Sequence, residues 1–404
     1  MSKIKGETLF WMACAMAVSK VNKRLDHYVL KGRLRSEGFE RWRYVFSAFS
    51  PSKGTERTFF IELYIVNPAV SPKTAVISQK SRLVASESDL QYMLAGTASA
   101  EKASEEVAVQ PSYVLVKVGA LGVGGKQMNK FYAPVQFSFV KSSGAFKVGE
   151  CLFSTNALSG SVSVSPQELR VRPELLCNPG AMSWELKFER PIECAPLYNR
   201  KKTVWLPIGV KSLFSGSVHF DNEEYVVLPK SSNGYIDKSW GVRPNSPYFH
   251  LSSSKMTSII SGRAMHNSCF ALEGEFGGKL CATLVLEGER FSVENRGIFK
   301  KDVILHDCSQ LEDGESGEKV HWTVSIHKGK FVIDIDVYCP GNELFVRDYE
   351  MPHGERCLLK ILAGGTGSGE IRFYKKIGKN LELLEHANIF DAICEFGQME
   401  QVGK

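Results

Sequence analysis

Asn233-Gly-Tyr-Ile-Asp-Lys-Ser-Trp-Gly241 is the stretch on which the reading of this chain turns. One short run holds an acid, a base, two aromatics and two glycines. In an extended chain successive side chains point to opposite faces. Tyr235, Asp237 and Ser239 then share one face, and Ile236, Lys238 and Trp240 share the other. A charge on each face is incompatible with a plain core face. The pattern fits a strand lining a partly polar cavity, or an edge strand with solvated charges.

Outward from this stretch, the texture after Gly38 is β-rich on both sides. Phe39–Phe49 alternates Trp42, Tyr44 and Phe46 against Arg41, Arg43 and Val45. Pro51–Gly54 reads as a turn, and Thr58–Val66 as a second strand of aromatic and β-branched residues. Glu62 interrupts that apolar run. A lone buried carboxylate costs several kcal/mol unless paired, so it implies an ion pair with an arginine of the preceding strand or a cavity acid of raised pKa. Short strands then recur with turn punctuation, among them Tyr132–Val140, Leu169–Val171, Trp184–Phe188, Ser215–Phe220, Tyr248–Leu251, Leu280–Leu286 and Lys330–Tyr338. Gly369–Lys376 and Leu381–Leu384 form a hairpin, followed by a last strand through Ala392–Phe396. Glu343–Pro352 reads as a cover over a barrel end, Gly119–Gly125 as a mobile loop near a barrel mouth, and Ser99–Glu106 as a surface loop or short helix. No strand–helix–strand crossover appears, which argues against a parallel sheet and favours barrels or sandwiches.

The 404 residues are 43% hydrophobic and 23% charged, an ordinary globular balance, and the length suits a pair of barrels better than one. The net charge of +6 is spread without a basic run, which argues against nucleic acid as a partner and leaves any membrane contact peripheral. The ten cysteines, Cys14 and Cys194 among them, form no C-x-x-C pair and no zinc-spaced cluster. Reduced, mostly buried thiols in a cytoplasmic protein follow, with no metal and no cofactor expected. Residues 1–35 read as a helical extension. Leu9–Val18 is apolar between Lys3, Lys5 and the later Lys20, Lys23 and Arg24, but Glu7 interrupts its approach and it is too short to span a bilayer. A buried or amphipathic helix is expected there rather than a cleaved signal.

No nucleophile elbow, dinucleotide fingerprint, His-x-x-x-His site or paired-carboxylate signature is present. His250, shortly after the central stretch, could face the same cavity or be a structural histidine. From residue types alone the chain is a barrel protein with aromatic strands and a few charges, and a binder of apolar ligands precedes an enzyme.

Three blocks resemble the tocopherol cyclase family, which is grouped with carotenoid hydratases and the lipocalin-like cyclases of intramolecular Diels–Alder reactions. Phe39-Glu-Arg-Trp-Arg-Tyr44 resembles the family's opening Phe-Glu-Gly-Trp-Tyr-Phe strand. Met182–Cys194 with Ser215–Phe220 resembles the end of its first half, and Gly234–Gly241 its Gly-Tyr-Ile-Glu-Lys-Asp-Trp-Gly hallmark. The Gly369–Phe396 hairpin is also similar. Arg41 stands in place of a glycine, Asp237 in place of a glutamate, and Val242–Pro247 departs from the family's Ser-Phe-Pro continuation.

The resemblance implies an all-β fold of two lipocalin-like antiparallel barrels in tandem, residues 36–230 and 231–400, with an apolar pocket in or between them. It implies binding of a prenylated or otherwise apolar small molecule and its cyclisation by acid catalysis. Asp237 would be the buried acid, protonating a prenyl double bond while a phenol oxygen closes the ring, with Lys238 orienting a polar head or pairing with Glu40. Trp42, Tyr235 and Trp240 would line the pocket, with Glu62 and His250 beside it. The rivals are a non-catalytic lipid or pigment carrier, and a pericyclase or hydratase acting on another polyene. The oligomeric state is not legible in the sequence.

Overall fold

The β-rich texture resolves into two all-antiparallel sheets. The computed structural model describes residues 27–78, 109–140, 142–192, 198–199, 202–230, 232–294, 302–313, 317–354 and 357–401. The first sheet contains β1 (Phe39–Ser50), β2 (Thr55–Val66), β3 (Tyr113–Ala120), β4 (Lys126–Tyr132), β5 (Phe137–Val140), β6 (Ala145–Val148), β7 (Cys151–Phe153), β8 (Ala157–Val164), β9 (Gly180–Ile192), β10 (Tyr198–Asn199), β11 (Thr203–Phe220), β12 (Glu223–Val227) and β13 (Gly234–Gly241). The second contains β14 (Tyr248–Ser253), β15 (Lys255–Ser258), β16 (Cys269–Glu275), β17 (Leu280–Leu286), β18 (Glu289–Glu294), β19 (Val303–Asp313), β20 (Gly317–Lys328), β21 (Phe331–Pro340), β22 (Phe345–Glu350), β23 (Cys357–Ile377) and β24 (Asn380–Gln401).

Each sheet curls towards closure. In the first, β4 lies against β8, although they are not laddered neighbours. In the second, the edge strands β18 and β19 meet, and Lys328 Nζ on β20 donates to Ser292 O on β18 at 2.5 Å. The chain is an all-β protein of two lipocalin-like barrels in tandem.

Side-chain alternation decides what fills them. On β1, Trp42, Tyr44 and Phe46 point into the first barrel. Trp42 meets Phe146 edge-on at 4.9 Å, Tyr44 lies 5.8 Å from Phe188, and Phe46 lies 5.2 Å from Phe214. The second barrel is filled by residues such as Leu251, Leu272, Trp322, Ile333 and Ile389, all buried. Aromatic rings in offset and edge contact fill space at interior density. A space beside Trp42, Tyr44 and Phe188 measures only about 10 Å³, room for one water. At that place the first barrel is packed with side chains rather than open.

Several local expectations are corrected. β13 pairs with both β1 and β11, so the first sheet runs to Gly241 and the second begins at Tyr248, not at residue 231. Strand pairing, rather than the midpoint of the chain, sets that boundary. Pro134 breaks Tyr132–Val140 into β4, a single 3-10 turn and β5. Leu169–Val171 belongs to a short helix, α1 (Pro166–Val171), whose cap Ser165 accepts from the Glu168 amide at 3.1 Å. Glu343–Pro352 contains β22, which pairs with β23 and lies between the barrels rather than over an end. Only Gly32–Arg35 of the N-terminal extension is helical among the described residues, as one 3-10 turn; residues 1–26 and the stretch Ser99–Glu106 lie outside them, as do Cys14 and Cys194.

Candidate functional site between the barrels

The second face of β1 carries Arg41, Arg43 and Val45, away from the first barrel's interior. Cross-strand register puts Glu62 of β2 and Asp237 of β13 opposite Arg43, and Lys117 of β3 opposite Glu62. This charged wall does not face water. It packs against β14, β16, β22 and β24 of the second barrel, whose facing residues are Tyr248 and His250, Glu273, Arg347 and Tyr349, and Glu395. Among the described residues the seam buries four cations, Arg41, Arg43, Lys117 and Arg347, with five carboxylates, Glu62, Asp237, Glu273, Glu350 and Glu395.

Arg43 is the hub. Its guanidinium donates to Asp237 through Nε at 3.1 Å and Nη2 at 2.5 Å, and to Glu395 through Nη1. Nη2 also lies 3.7 Å from Glu273 and 3.3 Å from both ring nitrogens of His250. Arg347 pairs with Glu62 at 2.5 Å and with Glu395 at 3.3 Å. Tyrosines add further donors to these carboxylates, while Glu62 Oε1 has no hydrogen-bond partner among the described residues. Tyr235 donates to Asp237 at 2.9 Å, Tyr248 to Glu273 at 2.8 Å, and Tyr349 to Glu62 at 2.7 Å, while the Trp205 indole donates to Asp237 at 3.0 Å.

The charge states follow. Burial alone would raise the Asp237 carboxyl, but the Arg43 and Arg41 guanidiniums outweigh it and hold the group well below the usual carboxylate range. Burial opposes ionisation of Glu395 too, yet Arg43 and Arg347 bring it down to about 2, and Arg347 lowers Glu62 in the same way. Burial, with Asp237 beside Tyr235 and Glu273 beside Tyr248, pushes both phenols well above the usual range and keeps them protonated donors. Lys117 goes the other way. Burial and the neighbouring Arg347 lower it to about 7, with its ammonium 3.6 Å from the Tyr349 ring centre and donating to Asp348 O at 2.8 Å.

The carboxylate and imidazole atoms of Asp237, His250 and Glu273 lie close enough together to ligate a cation. The Arg43 guanidinium already sits among them, within 2.5–3.7 Å of all three. A metal ion there would meet a fixed positive charge, so the donor set does not fit one.

The residues singled out in the sequence separate into two groups. Asp237, Tyr235, His250 and Glu62 come together in the seam. Asp237 is an ion-paired anion, not the neutral acid that the resemblance implied, because a guanidinium rather than an apolar wall surrounds it. The partner of Glu62 is Arg347, on a distant strand, rather than an arginine of β1, since both arginines of β1 are engaged elsewhere. Lys238, Glu40, Trp42 and Trp240 gather instead on the opposite face of β1 and β13, inside the first barrel. Lys238 pairs with Glu40 at 2.9 Å and lies 4.3 and 4.9 Å from the Trp42 and Trp240 rings. Its ammonium donates to His27 O, and Glu40 accepts the amides of Val29 and Leu30, so this cluster tethers the chain's own segment before β1. Sequence reasoning missed Arg43, Arg347, Glu273, Glu395 and Lys117 as members of the site; of these only Lys117 is a lone charge in an apolar strand, the signal that singled out Glu62.

Two small chambers flank the hub. One, about 20 Å³, is lined by Arg41, Tyr64, Tyr248, Asn245, Glu273 and Tyr349; the Arg41 Nε and Asn245 Nδ2 atoms find no acceptor among the described residues. The other, about 10 Å³, lies beside Tyr235, Asn233 and Ser252–Ser254. Each has room for about one water.

No protein-family model matches the chain, and no curated protein matches it. Among solved structures, two similar folds are a Nitrosomonas europaea protein described provisionally as AttH and kievitone hydratase from Nectria haematococca. Both are 10% identical with a TM-score of 0.39; the first covers 87% of this chain and 92% of its own, the second 88% of each. At that TM-score the likeness carries no argument, and the architecture rests on the strand pairing. Fold and seam together define a protein of two antiparallel barrels in tandem, with its ionisable groups gathered between them.

Proposed function

We propose that the protein is an enzyme acting on an apolar small molecule with one oxygen function, that its chemistry takes place at the seam between the barrels, and that the barrels part to admit the substrate, since each chamber there has room for only one water. The reaction class is proton-assisted addition of O–H across a carbon–carbon double bond. Cyclisation of a prenylated quinol and hydration of a polyene both belong to it. The observation that supports this reading is the clustering of His250, Tyr235 and Tyr248 about ionised carboxylates in a dry interface, beside spaces large enough for water. Perturbed ionisable groups concentrate where chemistry is done.

Asp237 does not supply the proton. Its role is to hold Arg43 and orient Tyr235. His250 is the general acid–base, as the imidazole that stands between Arg43, Ser252 and Glu273. Tyr235 and Tyr248, whose hydroxyls donate to Asp237 and Glu273, hold those carboxylates in place beside the imidazole.

The test is incubation with a panel of prenylated quinols and polyenes in heavy water. Conversion should place one deuterium on carbon in the product, and His250→Phe should lose it. Apolar molecules that co-purify unchanged, with no conversion by the wild-type protein, would leave the carrier reading instead.

A further inference from the structure

The β23–β24 hairpin outruns its barrel. On one side β21 pairs with β23 no further than Phe331 opposite Lys375, and the Lys376 amide donates to Lys330 O at 2.7 Å. On the other side β15 pairs with β24 no further than Ser258 opposite Ala387. From Ile377 to Leu384 the chain is therefore laddered, among the described residues, only to its own hairpin, and every residue of that run is exposed. A two-stranded ribbon standing alone in water is marginal. This one carries Ile377, Leu381, Leu383 and Leu384, which are 54%, 52%, 44% and 39% exposed. Tyr374 stands opposite Leu383 and Lys376 opposite Leu381, so these four share one face. Beside the ribbon, the Ile259 amide donates to His386 O at 2.7 Å and Ser258 Oγ to Glu385 at 2.8 Å. These bonds fix the turn Ser258–Gly262 against β24, where it presents two more exposed side chains, Ile259 and Ile260. Exposed apolar groups gathered in this way mark an interaction surface.

Charge decides what covers it. Lys330, Lys375, Lys376 and Lys379 surround the tip and Arg263 stands on the neighbouring turn, against the carboxylates of Glu382 and Glu385. A second copy docked here about a two-fold axis would set lysine against lysine. An anionic bilayer suits both parts of the surface. We propose that the tip of the β23–β24 hairpin, with the Ser258–Gly262 turn, docks on an anionic phospholipid membrane. The aliphatic side chains enter the boundary between headgroups and acyl chains, Tyr374 lies at that boundary, and the ammonium groups meet lipid phosphates and carboxylates. Further along the face of Tyr374, Arg372 pairs with Glu370 and Asp336, and that polar stretch limits the depth of entry. The contact is therefore peripheral. It does not rest on the reaction proposed for the seam.

The full-length protein is mixed with vesicles of phosphatidylcholine, alone or with about 30% phosphatidylserine, and floated on a density gradient. The expected result is flotation with the anionic vesicles only, reversed by about 0.5 M NaCl. Leu381→Ser with Leu383→Ser should weaken partitioning about tenfold or more. Lys376→Glu with Lys379→Glu should remove the preference for anionic vesicles. All four positions are exposed, so both double variants should keep the thermal midpoint of the wild type. Leu383→Trp should gain fluorescence that bromine-labelled acyl chains quench beyond the wild-type level, which shows entry rather than charge attraction alone. Failure of the wild type to float with phosphatidylserine vesicles, equal flotation with neutral ones, or undiminished flotation of the folded leucine variant overturns the proposal. A dimer in sedimentation velocity that the leucine variant dissolves would give the face to a second copy and overturn it as well.

Discussion

Arg43 is where the electrostatics of the seam converge, and its removal is informative. Its guanidinium is fully buried and neutralises Asp237 and Glu395 at contact distance. Taking one partner from a buried pair strands an uncompensated charge, at a cost of about 3–5 kcal/mol. Arg43→Met should therefore lower the urea-unfolding free energy by that amount; a loss under about 1 kcal/mol would mean the network is solvated and contributes little. The carboxylates give a pH signature. Asp237, Glu395 and Glu62 are depressed in the fold relative to the unfolded chain. Such groups add stability above their unfolded pKa of about 4, and that stability is lost as pH falls through the folded value. Stability should thus decline steeply between about pH 4.5 and pH 2. Asp237→Asn should be less stable at pH 7 and show a shallower decline. An equal slope in wild type and variant would remove Asp237 from the account.

At the scale of elements, β13 and β1 were legible because their alternation is local. Two-residue periodicity placed Asp237 with Tyr235 on one face and Lys238 with Trp240 on the other, as found. The partners were not legible. Glu395 and Arg347 lie more than 300 residues from Arg43 in sequence, and nothing in their own strands names the barrel they will meet. The long β23–β24 hairpin was legible only at its distal end, because bulges between Gly364 and Gly369 interrupt its periodicity. Those glycines have a packing reason. A Cβ on Gly369 would sit 1.9 Å from the Asp336 carbonyl oxygen of β21, a backbone atom that cannot swing aside. Gly369→Ala should then cost about 1–3 kcal/mol through overpacking and a displaced ladder. A thermal midpoint matching that of wild type would show that β21 yields more easily than its pairing suggests.

For the whole molecule, the seam makes the barrels interdependent. Neither wall could face water in its present form without releasing its buried charges from their partners across the interface. Arg347 neutralises Glu62, Glu395 neutralises Arg43, and Tyr64 donates to Glu350 O at 3.1 Å. Unfolding either barrel leaves the other with stranded carboxylates or guanidiniums, so the two should melt together. Calorimetry should give one transition with equal calorimetric and van't Hoff enthalpies; two resolved transitions would show the barrels to be independent. Lys117 provides a second handle on the same interface. Its folded value of about 7 lies below the unfolded lysine's, so between the two the unfolded chain binds more protons. Stability tied to this residue therefore rises as pH goes from about 7 towards 10, and the full penalty of a buried ammonium is felt below 7. Lys117→Met removes that penalty. It should be relatively more stabilising at pH 6 than at pH 9.5, measured by urea unfolding at both. The opposite order would mean that Lys117 stays charged across the range, held by Glu62 rather than disfavoured by Arg347.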